Sequence, residues 1–327
     1  MELCFLMFAA VVIATSLAAQ QPATPLKLVN TISIADIPGR IDHFSLDLKG
    51  NVTYMAALGA NTVVAIDLTH GKELGRITEL KEPQGVLYVP ENGHLYIANG
   101  GDGSVRIYDS KSLKQLRTVA LGDDADNVRY DAVSKMIWVG YGGGAMAGLS
   151  LDGEKLVDIP VGDHPESFEL EHRGNRIFVN VPRKKEVAVV DRATKKVLAT
   201  YGTGLTLGNY PMAFDEANGR IFAGCRVPAK LLVLDAATGK IVADLDTVGN
   251  PDDLFYDAAK HRVYVLGGAG SVAVYNQTTP NEYIEVARVP TGPGGRTGLF
   301  IPEAKELLVA IPLKGAKDAA VQVYQVQ

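Results

Sequence analysis

The chain has 327 residues and a formal net charge of −5, with 32 Lys and Arg against 37 Asp and Glu. This slightly acidic balance gives no electrostatic reason to expect a nucleic-acid partner. The motifs GxSxG, HExxH, CxxC and CxxCH are absent, which excludes the common serine hydrolases, zinc proteases, thioredoxin-like proteins and c-type cytochromes.

The N-terminus carries a short apolar run. Residues 3–14, LCFLMFAAVVIA, are fewer than the roughly 20 residues that a spanning helix needs, and small residues follow them. This pattern indicates a secretory signal peptide over residues 1–19, followed by a short polar leader over 20–26. The segment before the apolar run has no Lys or Arg, so an uncleaved N-terminal anchor is the alternative. We therefore expect a periplasmic or secreted protein.

The next feature is a strand pattern that the chain repeats. Residues 83–114 contain VLYV, HLYIAN and SVRIYD, and the turn Pro-Glu-Asn-Gly separates the first two. A fourth segment, such as QLRTVAL, leads into the following copy. A large residue in the second strand recurs at intervals of about 42 residues: Tyr54, Tyr96, Trp138, Phe178, Phe222, Tyr264 and Leu308. Since no window supports an amphipathic helix longer than a turn or two, the sequence predicts an all-β, seven-bladed β-propeller of four-stranded blades.

The two ends of the chain predict how the ring closes. Residues 27–40 hold one strand before the first full repeat, and the chain stops in VQVYQVQ, after a third strand. The N-terminal strand should therefore become the outermost strand of the last blade, because two unpaired edges would otherwise face each other. No linker, low-complexity tract or change in composition follows Pro25, so we predict a single domain over residues 27–327.

The repeats resemble those of a known family. The segments HLYIANGGDGSVRIYD and KLLVLDAATGKIVADL are similar to the YVTN-type repeat of exported bacterial proteins, the YncE-like family. The resemblance covers nearly the whole mature chain, although the tetrapeptide varies here to LYIA, IWVG and IFVN. It implies a seven-bladed propeller, a secreted or periplasmic location and a binding or scaffolding role, and it supplies no catalytic residues.

Polar residues occupy one slot in each innermost strand. The connections that enter the first strand of each blade, and those that join its second and third strands, should open on the same face as this slot. Seven residues occupy it: Asp42, Gln84, Asp126, Glu166, Tyr210, Asp252 and Arg296. The next position holds His43, Gly85, Asn127, Ser167, Pro211, Asp253 and Thr297. Propeller symmetry places both sets at the mouth of the central channel.

We predict a ligand site there, and a hydrated polar channel without a ligand is the alternative. The predicted ligand-binding residues are Asp42, His43, Gln84, Asp126, Asn127, Glu166, Tyr210, Asp252, Asp253 and Arg296.

The slot holds four carboxylates and one cation, which favours a divalent ion or an organic cation. Arg296 comes between Asp252 and Asp42 in blade order, and this arrangement predicts a chain of salt bridges. Asp126 and Glu166 would then be the uncompensated pair. Nearby side chains offer further oxygen and imidazole ligands for calcium, magnesium or zinc: Asn127, His43 and His164.

Two functions from different classes follow. The first is a binding or scaffolding module, monomeric and without a transmembrane domain after signal removal, that engages a small molecule, peptide or protein partner. The second is a divalent-metal-assisted hydrolase or lyase, similar to lactonase propellers. In that alternative Asp126, Asn127 and Glu166 hold the ion, His43 is the general acid or base, and Arg296 steadies an anion.

The cysteines exclude an intramolecular disulfide in the exported protein. Cys4 lies within the predicted signal peptide, so only Cys225 would remain after cleavage. Its neighbour Arg226 could lower the thiol pKa and make it reactive, and a small buried filler at a strand end is the alternative.

Overall fold

Seven four-stranded antiparallel sheets account for the strands of this computed structural model, which describes residues 24–313 and 318–327. The prediction of an all-β, seven-bladed propeller is confirmed. The predicted signal peptide lies outside the described residues, and so does most of the predicted leader. Within the described ranges, no helix is long and apolar enough to cross a membrane. The helices there are two single 3-10 turns, Leu58–Ala60 and Pro182–Lys184.

Each blade has its innermost strand first in the chain and its outermost strand last, except the closing blade. Blade one contains β2 (Phe44–Asp47), β3 (Val52–Ala57), β4 (Thr62–Asp67) and β5 (Lys72–Ile77). Blade two contains β6 (Pro83–Val89), β7 (His94–Asn99), β8 (Ser104–Asp109) and β9 (Gln115–Ala120). Blade three contains β10 (Ala125–Asp131), β11 (Met136–Tyr141), β12 (Ala145–Ser150) and β13 (Lys155–Pro160).

The remaining blades continue the pattern. Blade four contains β14 (Phe168–Leu170), β15 (Arg176–Val181), β16 (Glu186–Asp191) and β17 (Lys196–Gly202). Blade five contains β18 (Leu207–Asp215), β19 (Arg220–Val227), β20 (Ala229–Asp235) and β21 (Ile241–Asp246). Blade six contains β22 (Pro251–Asp257), β23 (Arg262–Gly267), β24 (Ser271–Thr279) and β25 (Glu282–Pro290). Blade seven contains β26 (Gly298–Ile301), β27 (Glu306–Ile311), β28 (Ala319–Val326) and, outermost, β1 (Leu26–Ile34).

The ring closes through β1, as the chain ends predict. This strand pairs antiparallel with β28, from Leu26 opposite Val326 to Ile34 opposite Ala319. Ile32 and Ile34 are 2% and 1% exposed and pack in one hydrophobic cluster with side chains of blades one and seven. The N-terminal strand therefore provides backbone pairing and core packing at the seam of the ring.

Apolar clusters between neighbouring blades form the core. The large residue of each second strand is buried in all seven blades. One such cluster joins Tyr54 and Ile77 of blade one to Leu95 and Tyr108 of blade two. Because the middle strands bury both faces, they contain nearly continuous apolar runs, and the polar residues lie at the strand ends and in the turns.

Aspartates at the ends of third strands cap the following turns. Asp67 Oδ1 accepts a hydrogen bond from the backbone N–H of Thr69 at 2.8 Å, and Asp235 Oδ1 accepts one from that of Thr238 at 2.9 Å. These local bonds satisfy turn amides that the sheet leaves unpaired. They explain why Asp recurs at the end of the third strand in four of the seven blades.

Candidate functional site at the channel mouth

Irregular strand pairing marks the slot where sequence alignment places the polar ring. In four blades the innermost strand shifts register against its neighbour at this point, between Pro83 and Val86, Ala125 and Val128, Asn209 and Met212, and Pro251 and Asp253. A β-bulge leaves a residue unpaired and redirects its side chain. The slot residues of these blades lie inside or beside the irregular segments, where the fold releases them from regular sheet geometry.

A cavity of about 420 Å³ lies at this end of the channel. Six of the seven slot residues line it: Gln84, Asp126, Glu166, Tyr210, Asp252 and Arg296. The connections predicted to open on this face, together with Arg226 near the end of β19, supply the remaining lining residues: Arg40, Asp123, Asp124, Gly142, Gly143, His164, Pro182, Arg183 and Arg226. Every blade, or the connection that enters it, therefore contributes to the wall.

The seventh slot residue, Asp42, is only 1% exposed and does not line the cavity. Its Oδ2 accepts a hydrogen bond from Arg40 Nη2 at 2.5 Å. The sequence predicts that Arg296 links Asp42 to Asp252, and this prediction is wrong for Asp42, because Arg40 from the connection before blade one is its partner. Burial of the Asp42 carboxyl raises its pKa to about 6, although His43 and Arg40 oppose the shift.

Three residues of the next position also lie elsewhere. His43 and Asp253 line a separate cavity of about 230 Å³, which includes Ser45, Arg129 and Phe255. Asn127 is 1% exposed and does not line the larger cavity.

The His43 imidazole lies between two carboxylates. Its Nδ1 is 3.2 Å from Asp253 Oδ1, and its Nε2 is 3.5 Å from Asp42 Oδ1. Burial by itself would lower the pKa of His43, but the two carboxylates outweigh it and raise this pKa to about 10. A protonated imidazole held between two partners is suited to structural charge pairing.

One side of the large cavity is basic and rigidly built. The Asp252 carboxylate lies between two arginines. Arg226 Nη2 donates a hydrogen bond to its Oδ1. Arg296 Nε is 2.7 Å from its Oδ2 and forms an ion pair there without favourable hydrogen-bond geometry. The Arg226 guanidinium also stacks on the Tyr210 ring, 3.6 Å from its centroid, and its Nε donates to the carbonyl of Pro251 at 3.1 Å. Stacking and ion pairing together fix the plane of this guanidinium.

The other side is acidic. Asp124 Oδ1 accepts a hydrogen bond from Gln84 Nε2 at 2.9 Å, and Asp126 Oδ2 is 3.7 Å from His164 Nε2. The carboxyl group of Glu166 makes no hydrogen bond or ion pair with any described residue, although its backbone N–H donates to the carbonyl of Asn180 at 2.9 Å. Asp126 is therefore not the uncompensated carboxylate that the sequence suggests, because His164 faces it, whereas Glu166 fits that expectation.

Asp126, His164 and Glu166 form the cluster best suited to a metal ion among the described residues. One ligand atom from each lies within 4.8 Å of the others. His164 Nδ1 is 2.8 Å from the carbonyl oxygen of Gly142, an arrangement that holds a proton on Nδ1 and leaves Nε2 facing the carboxyl groups, where a metal ion would have to displace the Nε2 proton. The third ligand in this geometry is His164, whereas the sequence suggests Asn127.

The ionisation of the cluster follows from burial and mutual charge. Burial raises the pKa of Glu166 well above its usual range, and the neighbouring Asp126 raises it further. Burial would also raise the pKa of Asp126, but the facing His164 and other nearby positive charges hold it below its usual value. Burial would lower the pKa of His164, but Asp126 and the Gly142 carbonyl raise it to about 9.

Sequence alignment misses the arginines that make the site basic. Arg40 and Arg226 lie outside the aligned slot, one before blade one and one at the end of β19, so the slot suggests a cavity with a single cation. The available signal is that Arg40 lies in a connection predicted to open on the functional face, and that Arg226 lies next to another such connection at the end of its strand. Asp123 and Asp124 belong to the same class of connection and were missed for the same reason.

No protein-family model and no curated protein matches the chain. Among solved structures, a chain of Kuenenia stuttgartiensis hydrazine synthase is similar at a TM-score of 0.77 and 18% identity, covering 89% of this chain and 97% of that one. A chain of a mitotic checkpoint complex is similar at a TM-score of 0.73 and 15% identity, covering 100% of this chain and 99% of that one. These likenesses agree with a propeller fold, and fold alone does not select a function.

Proposed function

We propose that this protein is an exported β-propeller of the YncE-like, YVTN-repeat type that binds a small molecule or peptide at the channel mouth. The repeat sequences and the apolar N-terminal run support the family and the export. The cavity supports the binding role, because its volume of about 420 Å³ lies in the range of small-molecule sites, roughly 300 to 1,000 Å³.

The observation that carries this proposal is the fixed geometry of the polar wall. A hydrated channel needs only side chains that tolerate water, and the same small polar residue in every blade would meet that need. Here Arg226 is held by a stacked ring, a carboxylate and a carbonyl, while the carboxyl group of Glu166, in the same cavity wall, has no partner among the described residues. Preorganised donors and an unpaired acceptor in one cavity are the arrangement of a site that orients a ligand.

A fragment screen by ligand-observed NMR tests the binding role. We expect hits whose signals weaken in Arg226→Gln and in Glu166→Gln, since each change removes one charged group from the cavity wall. Arg76→Gln and Glu73→Gln are matched controls, because they break an exposed Arg–Glu pair on the outer strand β5. Hits that respond to neither cavity variant, or a screen without hits, would reject a ligand site here.

Export and oligomeric state are proposals with their own measurements. Mass spectrometry of the extracytoplasmic fraction should find a mature N-terminus at Ala19 or Gln20, and an intact Met1 on soluble cytoplasmic protein would reject export. Size-exclusion chromatography with light scattering should give a monomer mass for the processed chain.

A metal-assisted hydrolase or lyase is the second candidate, and the Asp126–His164–Glu166 cluster favours it. These residues offer two oxygen ligands and one nitrogen ligand, a set that suits zinc better than calcium. A bound ion would lower the pKa of a water molecule for attack on a substrate. The sequence analysis gives His43 the acid–base role, but His43 lines the smaller cavity, so this alternative has no assigned base.

Elemental analysis of the purified protein, followed by calorimetric titration with Zn²⁺, Mg²⁺ and Ca²⁺, tests the metal. We expect stoichiometric binding that His164→Gln weakens strongly while Glu73→Gln, on the outer strand β5, leaves it nearly unchanged. If the protein binds none of the three ions, this second candidate fails and the binding module is unaffected.

A further inference from the structure

Two groups of charged side chains line the large cavity. The basic side chains come from blades five and seven and from the connection into blade one, and we call them the basic arc: Arg226, Arg296 and Arg40. The carboxyl groups of blades three and four and the connections into them form the acidic arc: Asp123, Asp124, Asp126 and Glu166. Arg183 of blade four also lines the cavity, but its side chain is 80% exposed and lies 3.7 Å from Asp163. Gln84 in blade two lies between the arcs on one side, and on the other side blades four and five are adjacent.

The basic arc keeps donors free for a ligand. A guanidinium has five N–H groups, and Arg226 uses only Nε and Nη2 for the carbonyl of Pro251 and the carboxylate of Asp252. Arg296 uses Nε for Asp252, and its Nη1 is 3.5 Å from Asn250. Since one carboxylate holds both arginines, this pair keeps one net positive charge and remains 19% to 22% exposed. It matches a ligand carboxylate, which accepts two parallel hydrogen bonds.

The acidic arc keeps acceptors free. The Glu166 carboxyl accepts no hydrogen bond from a described residue, and the Asp124 oxygen that Gln84 leaves free lies 3.6 Å from His164 Nδ1 without hydrogen bonding to it. His164 and the exposed Arg183 supply at most two positive charges against four carboxyl groups in the arc. An ammonium group carries three donors and could bond several of these oxygens together.

From this arrangement we propose that the ligand is a zwitterion whose carboxylate binds Arg226 and Arg296 and whose ammonium group, separated from it by a spacer, binds Glu166 and Asp124. This inference rests on the proposed binding function and specifies its ligand class. A spacer is required because the two arcs belong to different blades, so charges on adjacent atoms would leave one arc unpaired. A ligand with a single charge would leave charged groups of the cavity wall unpaired, which weakens binding. The site should therefore bind singly charged analogues less tightly than zwitterions.

Calorimetric titration with a graded panel tests the ligand class. The zwitterions are β-alanine, γ-aminobutyrate and ε-aminocaproate, and the singly charged analogues are caproate and hexylamine. We expect at least one zwitterion to bind at least about tenfold more tightly than both analogues, as the loss of a charge-assisted hydrogen bond implies.

Two variants assign the ends of the ligand. Arg226→Gln should weaken the best zwitterion and caproate at least about tenfold and leave hexylamine unchanged, whereas Glu166→Gln should weaken the zwitterion and hexylamine and leave caproate unchanged. Arg76→Gln and Glu73→Gln should change none of these affinities, and circular dichroism checks that every variant is folded.

The outcomes separate this inference from the function on which it rests. Zwitterions no tighter than the singly charged analogues, or no binding by any panel member, would overturn the inference. Binding of Zn²⁺ in place of amines at Glu166 would also overturn it and favour the metal candidate. If the fragment screen finds only singly charged or neutral ligands in the cavity, the inference falls and the binding function stands. If neither experiment finds a ligand, both fail.

Discussion

The closing strand offers a sharp test of how the ring is held together. Ile32 in β1 is 2% exposed and packs against side chains of blades one and seven, whereas Val29 in the same strand is 50% exposed. Changing a buried Ile to Ala costs about 2–5 kcal/mol, because transfer free energy is lost and a cavity remains. We therefore expect Ile32→Ala to lower the free energy of unfolding by about 3 kcal/mol and Val29→Ala to lower it by less than about 1 kcal/mol.

The wider perturbation removes the strand. Three buried side chains of β1, Leu26, Ile32 and Ile34, contribute about 1.5–3 kcal/mol each. Their sum approaches the total stability of a typical domain, roughly 5–15 kcal/mol. Deleting residues 20–36 would also leave β28 as an unpaired edge, so we expect aggregation or a large loss of stability.

Equilibrium urea denaturation followed by fluorescence measures both point variants, and size-exclusion chromatography measures the truncated chain. Equal unfolding free energies for Ile32→Ala and Val29→Ala would refute the packing argument. A truncated protein that is monomeric and as stable as the parent would refute closure by the N-terminal strand.

Three further outcomes are expected. Cys225 is fully buried, and burial raises the pKa of its thiol to about 11. Iodoacetamide should therefore leave Cys225 unmodified in the native protein and alkylate it in urea. Fast labelling of the native protein would contradict the burial of this thiol. The pKa values of His43 and His164 are raised to about 10 and about 9 from 6.5, so their contribution to stability is complete below about pH 6.5 and is lost as the pH rises through 9–10. Urea titrations across this range should show the decline, and His164→Gln should flatten it; an unchanged slope would contradict the coupling. Asp252→Asn leaves two neighbouring arginines without their shared carboxylate, and we expect it to lower the free energy of unfolding by about 1–3 kcal/mol. This cost is below that of breaking a fully buried pair, because both guanidiniums touch water. Glu73→Gln, at an exposed pair, should lower the free energy of unfolding by less than about 1 kcal/mol.

The sequence by itself determined the fold and the place of the cavity. The recurring large residue, from Tyr54 to Leu308, and the capping aspartates repeat with a constant register, so seven similar units follow from the pattern. The slot before each hairpin contains polar residues where the following positions are apolar. Because a propeller brings equivalent positions of all blades to one ring, local sequence was sufficient to find six residues that line the cavity.

Only the tertiary structure decided the charges and their partners. Arg226, near the end of β19, and Arg296 share the Asp252 carboxylate, whereas Asp42 pairs with Arg40, two residues before it, in place of the expected Arg296. His164 reaches Asp126 because its own connection approaches the Gly142 carbonyl. Side-chain pairing across blades depends on distances between segments about 20 to more than 200 residues apart in the chain, and no single repeat encodes those distances. The repeat therefore determines where the polar residues of the channel mouth lie, while the packing of the seven blades determines which charged side chains form pairs.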